Sequence, residues 1–541
     1  MNDIKILQNK FYLYLTEFFS GMAVMAVELG ASRLLAPYFS SSQIVWTIII
    51  GTIMIAMALG NIHGGRSADR NPNPDVLYRR MLVAAVWIAA IPALGKYIIL
   101  GISALLIFSV NSLFLVWAAF AACMVIFVYP LFLLGTVTPS LAKYSMDSLD
   151  DSGSTVGKLG AANTVGSIIG TFVPTFVTIP TVGTSVTFLI FAGILLVLAA
   201  VYFISRGAGR GRVAAAGVLV LACVFAGHSD SFAFWEDDLA YEGESVYNYL
   251  QVKEDEDDVI LSTNVLFGVQ SILKKNEALT GMYYDYAMAA PLMAELDPEQ
   301  GADILILGMG SGTYATQCSR YFGQNIRAVG VEIDGKITSL ARTYFQMPED
   351  VAVYTYDGRA YLNAVEETYD VILVDAYQDI TIPFQMASEE FFTLVKEHLR
   401  DGGVMVVNMN MRGQDEGNIN QYLSDTIAGV FGYVYTADVA RNTNRELFAS
   451  DSPDMLARLD AGIERLSAAG DEKSAALSDM MTTVRAALVP YEPGGYLLTD
   501  DKAPVELLSM RAIDALIADE VTYYKGVYER EGVSGLIERF G

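Results

Sequence analysis

Four apolar residues, Val371, Ile372, Leu373 and Val374, end abruptly in Asp375. Such a run reads as a buried strand, and a carboxylate at its tip points to proton transfer or to a cationic ligand. Three earlier runs end in comparable chemistry. DILILG (303–308) leads into a turn carrying Gly308, Gly310 and Gly312. IRAVGVEID (326–334) ends in Glu332 and Asp334, and VAVYTYDG (351–358) ends in Asp357 and Gly358. Glycines let a ligand approach the backbone and expose the N–H groups that open the next helix. Glu332, 24 residues beyond Gly308, is placed to accept from two ribose hydroxyls. Asp357 can accept from an adenine amino group. A GxGxG turn alone is a weak signal. Acids on three consecutive strand ends beside one are a strong signal.

The elements that must position these residues follow from the pattern. The runs 303–308, 326–334, 351–358, 369–377 and 402–410 read as strands, with helical segments between them. That alternation predicts an α/β, Rossmann-like domain with a parallel, doubly wound sheet, whose ligands bind outside the carboxyl ends of the strands. A dinucleotide and S-adenosylmethionine both fit such a rim. Acids on the second, third and fourth strands favour the adenosyl sulfonium, because a ring of carboxylates complements its positive charge. From Ser450 the chain reads as helices around a polar linker (460–478). The stretch Tyr496–Val505 is expected to fold back over the site, with Asp500 and Asp501 adding charge, as Glu244 could.

The charge is divided unevenly. Residues 1–228 hold 13 basic and 8 acidic side chains, net +5, and the remainder holds 22 and 53, net −31. The acidic half argues against nucleic acid, since binding phosphates needs Lys and Arg. It is compatible with a small cationic amine. Cys123, Cys223 and Cys318 lack metal-ligand spacing, so neither a zinc site nor a disulfide framework is indicated, and no metal is expected. His63, His228 and His398 are scattered and read as structural.

Mean hydropathy is +0.37, and long apolar runs fill the first half. Candidate membrane spans are 11–36, 44–63, 81–107, 113–139, 159–179 and 184–205, and a seventh run, 213–227, has 15 residues. Lys5, Lys10, Arg66, Arg70, Arg79, Arg80, Lys143, Lys158, Arg206, Arg210 and Arg212 all follow even numbers of crossings, which marks that face as cytoplasmic. The expectation is a multi-pass protein of the cell (inner) membrane, in contact with the lipid bilayer. Its soluble domain is expected in the cytoplasm, with 213–227 stopping short of crossing, because an adenosyl ligand is a cytosolic nucleoside; a crossing by 213–227 would put the domain outside. Glu28 and Arg33, in or near the first span, are candidates for pairing or function. The domains expected are a transmembrane helical bundle of 6–7 spans (1–228), a small β segment (229–295) and a Rossmann-like domain with a C-terminal helical extension (296–541).

ESVYNYLQV (244–252), FGVQSI (267–272), YYDY (283–286), the Gly-rich turn, VEID (331–334), DGR (357–359) and VDAY (374–377) together resemble the spermidine synthase family of aminopropyltransferases. ELGASRLLAPYF (28–39), ALGNIHGGRSADR (58–70) and LTDDKAPVEL (498–507) are similar to its fused membrane form, with a transporter-like helical region. The resemblance implies decarboxylated S-adenosylmethionine as co-substrate, putrescine or a related amine as acceptor, and a homodimer. It implies that Gln270 and Tyr284 line the donor and acceptor channel, that Glu332 holds the ribose and Asp357 the adenine. It implies that Asp375 takes the attacking amine's proton, with acceptor positions at Tyr284, Asp285, Gln378 and Asp379. The chain departs from the family pattern at Asn248, Tyr284, Ser311 and Gln378. Most of these places serve the aminopropyl group and the amine. An S-adenosylmethionine-dependent methyltransferase, or a non-catalytic adenosyl- or polyamine-sensing domain on a small transporter, are the other readings.

Overall fold

The computed structural model describes residues 5–540 except 40–41, 108–112, 147–151, 229–231, 237–238, 266–268, 295–300, 378–381, 411–415 and 441. The chain divides into two compact units, 1–235 with 242–249, and 236–241 with 250–541.

The first unit is helical: α1 (Lys10–Phe39), α2 (Gln43–Arg70), α3 (Pro74–Leu106), α4 (Phe114–Ile126), α5 (Val128–Gly135), α6 (Val137–Ser145), α7 (Ser152–Val173), α8 (Ile179–Arg206) and α9 (Arg210–Gly227). Asn73 caps α3 ahead of Pro74, and the left-handed Gly207 ends α8. Among the described residues five helical stretches are long and apolar enough to cross a membrane, with α7 and α8 joined through 174–178 and counted as one, or six if the bent pair Phe114–Ile126 and Val128–Ser145 is one span. Glycines bring α7 and α1 together. A Cβ at Gly166 would stand 1.9 Å from the Phe18 carbonyl oxygen, and one at Gly170 would stand 2.3 Å from that of Met22. Glu17 is sealed in the same region, where it accepts from Thr138 Oγ1 at 2.5 Å and Asn163 Nδ2 at 2.9 Å.

The ends of this bundle differ. At one end Asp75 pairs with Arg206 and accepts from the Tyr202 hydroxyl at 2.6 Å, beside the basic starts of α3 and α9. α9 then runs beside α3, with Gly227 against Pro92 and Ala93. The chain beyond it meets the other end. Tyr38, at the close of α1, donates to the Phe232 carbonyl at 3.1 Å. Thr184, near the start of α8, donates its N–H and hydroxyl to Glu244, each at 2.9 Å. Arg33 donates to the carbonyls of Ser245 and Val246. Glu244 is therefore engaged within the helical unit. α9 is itself one of the helices long and apolar enough to cross a membrane.

The second unit begins with a four-stranded sheet in sequence order: β1 (Leu239–Glu244), β2 (Tyr249–Glu254), β3 (Asp258–Ser262) and β4 (Ser271–Lys274). Next come α10 (Tyr283–Ala287), α11 (Ala289–Met293), β5 (Ala302–Leu307), α12 (Thr313–Phe322), β6 (Ile326–Glu332), α13 (Gly335–Tyr344), β7 (Ala352–Thr355), α14 (Gly358–Ala364) and β8 (Tyr369–Val374). The remainder is α15 (Glu389–Glu397), β9 (Leu399–Met409), α16 (Ile419–Val430), β10 (Tyr433–Asp438), β11 (Arg445–Ser450), α17 (Met455–Ala469), α18 (Glu472–Ala487), β12 (Val489–Pro490) and α19 (Val505–Phe540). The main sheet has the order β12-β10-β11-β9-β8-β5-β6-β7. Its centre, β7 to β9, is parallel as expected. Its far edge is antiparallel, which corrects the expectation of a purely parallel sheet: β10 and β11 form a hairpin, and β11 pairs with β9.

The chain runs outward from β5 through β6 and β7, then returns to place β8 on the other side of β5. This reversal opens a crevice at the carboxyl ends of β5 and β8. Beneath it lies a core of Ile304, Ile306, Val371, Leu373, Val404, Val406 and Phe448, covered by α10, α11, α12, α17 and α18.

Candidate active site

Gly308 follows β5 with φ 83°. A Cβ there would lie 2.5 Å from the Ala376 Cα and 2.6 Å from the Asp375 carbonyl oxygen. Only glycine accepts both that backbone and that approach, so it locks the tips of β5 and β8 together. Gly310 has φ 56° and donates its N–H to Glu332 Oε2 at 2.9 Å, and Gly312 precedes α12 with φ 80°. Glu332 Oε1 accepts from the Asp334 N–H at 3.0 Å. Each Glu332 oxygen thus takes one backbone donor and keeps lone-pair capacity for a hydroxyl. Burial raises this carboxyl, against the backbone bonds from Asp334, Gly310 and Ile333 that lower it. Asp334 caps α13 through the Lys336 N–H, and Asp357 caps α14 through the Ala360 N–H at 2.8 Å. Gly358 opens α14.

Asp375 stands at the end of β8 and is 9% exposed. Its Oδ2 accepts from the Tyr283 hydroxyl at 2.9 Å, and its Oδ1 from Asn408 Nδ2 at 2.8 Å. Burial pushes its carboxyl up to about 7, with a smaller rise from the charge of Glu332, while the Asn408 and Tyr283 bonds pull it down. Asn408 Oδ1 accepts in turn from Asn444 Nδ2 at 2.8 Å, which fixes the amide's orientation. A carboxyl that titrates near neutrality, held between two donors, is fitted to take a proton from a substrate.

Tyr283 was not among the residues expected here. The YYDY run contains it, but one helical step of 100° decides which tyrosine faces the strand tip. Tyr284 packs against Tyr283 with ring centroids 4.0 Å apart and planes tilted by 35°, and donates to the Gln270 carbonyl at 2.5 Å. Gln270 is thus engaged by its backbone. Asp285 bonds within its own turn. Fully buried, it accepts from Thr280 Oγ1 at 3.0 Å and from the Gly281 N–H at 2.6 Å, and so closes the turn before α10. Burial raises it to about 6. Gln378 and Asp379 lie outside the described residues. Ser311 donates its N–H to Ser271 and contacts Thr313, so it braces the turn.

The C-terminal stretch folds back against α14, α15 and α16. Asp425 accepts from the Tyr491 hydroxyl and the N–H groups of Gly494 and Tyr496. Asp500 pairs with Arg359 through both oxygens at 2.6 Å and accepts from Ser388. These bonds pin 491–500 to α14, α15 and α16 and neutralise Asp500, which corrects its expected role as charge for the site.

A family model described as "Spermine/spermidine synthase domain" matches residues 282–438, the span that carries Tyr283, the Gly-rich turn, Glu332 and Asp375. A Bifidobacterium longum protein named "Probable polyamine aminopropyl transferase" is 50% identical over 349 residues, 62% of this chain and 77% of that protein. The chain belongs to the polyamine aminopropyltransferase family. The polyamine aminopropyltransferase of Vibrio vulnificus is 26% identical over 228 residues, 40% of this chain and 74% of that protein. A solved Thermotoga maritima spermidine synthase is 20% identical, covers 43% of this chain and 79% of its own, and has a TM-score of 0.35. As a family member the protein is a transferase enzyme, and decarboxylated S-adenosylmethionine is the family's co-substrate. The Gly-rich turn and Glu332 fit its adenosine moiety, and Asp375 lies next to them across the crevice. Among the described residues no cluster of His, Cys, Asp or Glu could hold a metal.

Proposed function

We propose that this protein is a membrane-integrated aminopropyltransferase that moves an aminopropyl group to putrescine or a related amine. The observation that carries the reading is Asp375: a buried carboxyl raised to about 7, beside a nucleoside-type crevice, with both oxygens aligned by Tyr283 and Asn408. Decarboxylated S-adenosylmethionine supplies a sulfonium whose adjacent carbon the amine nitrogen attacks; the carbon–sulfur bond breaks, and its electron pair leaves on sulfur. Asp375 binds the acceptor nitrogen and takes the proton that this nitrogen sheds. Glu332 and the turn at Gly310 orient the nucleoside, and correct placement accounts for much of the rate. Tyr283 and Asn408 keep Asp375 in one rotamer, so the accepting oxygen does not have to be ordered at the moment of reaction.

The helical unit is read as the membrane anchor, because its helices have the length and apolarity of spans. Arg206, Arg210 and Arg212 stand at the Asp75–Arg206 end, which the positive-inside rule assigns to the cytoplasm. The chain leaves the bundle at the other end, around Phe232 and Glu244. On this reading the catalytic unit faces away from the cytoplasm. A cysteine placed at Ser474 of a variant lacking the native three, labelled in intact cells by a membrane-impermeant maleimide, tests the topology. Labelling only after lysis would overturn it.

Activity is tested on the purified full-length protein with either S-adenosylmethionine or its decarboxylated form, plus putrescine, spermidine or agmatine. Product mass reports the transferred group. A gain of one methyl group, or no product from any pair, would remove the proposal.

A further inference from the structure

Asp375 does not stand alone on the rim. β8 and β9 pair in register through Val374 and Val407, and β9 and β11 through Asn408 and Glu446. β11 and β10 pair through Glu446 and Ala437. Side chains alternate across a sheet, so Asp375, Asn408, Glu446 and Ala437 form one row on one face. Gly308 extends that row beyond Asp375. The two carboxyls are therefore separated by the single amide of Asn408, and residues without bulk, Gly308 and Ala437, lie at the ends of the row.

Glu446 is fully buried, and among the described residues neither of its oxygens has a hydrogen-bond partner. The groups that face the pair are Tyr283 from α10, Tyr314 from α12 and Glu332 from β6. None is cationic, and no Lys, Arg or His among the described residues pairs with either carboxyl. A buried carboxyl with neither a cation nor a donor is costly and stays protonated until a positive charge arrives. Burial, and then the charge of Asp375, raise Glu446 well above the usual range. Tyrosine rings around such a row are themselves attractive to ammonium groups.

We propose that Glu446 is the second anionic group of the acceptor site and neutralises the non-reacting ammonium of a diamine whose other nitrogen stands at Asp375. This rests on the aminopropyl-transfer reading and adds to it the residue that selects a doubly charged acceptor. Two strand steps put the two α-carbons roughly 10 Å apart. The side chains reaching toward one ligand shorten that span to the length of a short alkane diamine. Glu446 forms no bond to the reacting atoms, so its effect falls on acceptor affinity rather than on the transfer step.

The test compares putrescine with a monoamine of the same carbon length on the full-length enzyme. In the wild type, calorimetry at pH 7 in buffers of different ionisation enthalpy should show about one more proton released with the diamine, because Glu446 must ionise to meet the second ammonium. Glu446→Gln removes that difference. It should also lower the ratio of kcat/KM for diamine over monoamine by about tenfold, mostly through KM, while donor affinity holds. Equal proton release for the two amines in the wild type overturns the proposal whether or not the variant folds. So does an unchanged acceptor ratio in a folded Glu446→Gln. A wild type that transfers no aminopropyl group to any amine overturns the underlying reading instead.

Discussion

The Tyr283 hydroxyl donates to Asp375 Oδ2 at 2.9 Å, while Asn408 holds the other oxygen at 2.8 Å. This pair of donors fixes the proton acceptor from two directions, one from α10 and one from β9. Asp375→Asn keeps the shape and removes the base. Turnover should fall by about 10²–10⁴, the usual range for a general base, while the affinity for the donor stays within a few fold. Single-turnover product formation and donor calorimetry check the two halves separately. Undiminished turnover would take Asp375 out of the mechanism.

The two donors also set when Asp375 is charged. Each bonds the ionised form and lowers the carboxyl from where burial would leave it. In the free enzyme kcat/KM should therefore rise with pH through an apparent value near 7. Tyr283→Phe and Asn408→Leu should each move that limb upward. A pH–rate profile for each variant is the measurement, and a downward shift in either contradicts the assignment.

Stability carries the opposite sign. The folded carboxyl of Asp375 is raised to about 7 from 3.8, so folding favours its protonated form. The cost of ionising it is absent below the unfolded value, grows between the two and is complete above the folded value. Asp375→Asn should consequently be more stable than the wild type at pH 8, by at most on the order of 2–4 kcal/mol, with the gap closing toward pH 4. Thermal unfolding of both proteins across that pH range reads the difference.

The sequence displayed the strand tips plainly, because a buried parallel strand is continuous apolar residues and its end is visible as the first carboxylate. Asp375, Glu332 and the Gly308 turn were legible for that reason. Glu446 was not: RELFAS has no contrast between buried and exposed positions, and it pairs out of sequence order with β9. The antiparallel edge was missed on the same account. Asp285 was read beside Tyr284 because the two are neighbours in sequence; that its carboxylate closes the turn at Thr280 and Gly281 is not announced by sequence. Asp500 read as free charge because nothing local announces Arg359, which is 141 residues away.

Glu332 serves two partners, and a substitution can separate them. Its oxygens already hold the N–H groups of Gly310 and Asp334. Glu332→Gln keeps one acceptor oxygen, so one backbone contact survives, but the charge that strengthens ribose hydroxyl bonds is lost. Two charge-assisted bonds reduced to one neutral bond should weaken the donor by roughly 1.5–3 kcal/mol, or about ten- to a hundredfold. Calorimetry with the donor alone measures it. An unaltered dissociation constant would discredit the ribose assignment.

Gly308 tests whether the two strand tips must be locked for the site to exist. A methyl group at this position meets the Ala376 Cα at 2.5 Å and the Asp375 carbonyl oxygen at 2.6 Å, both main-chain atoms that cannot rotate aside. The backbone there, at φ 83°, is also one that alanine adopts at a cost of about 1–2 kcal/mol. Gly308→Ala must therefore push the β8 tip away from β5 and carry Asp375 with it. Because a displacement near 1 Å can cost about a hundredfold in rate, turnover should drop at least that far even where the protein stays folded. Circular dichroism establishes the fold, and turnover at saturating donor and acceptor reads the displacement. A folded Gly308→Ala with wild-type turnover would show that the strand tips do not need that contact.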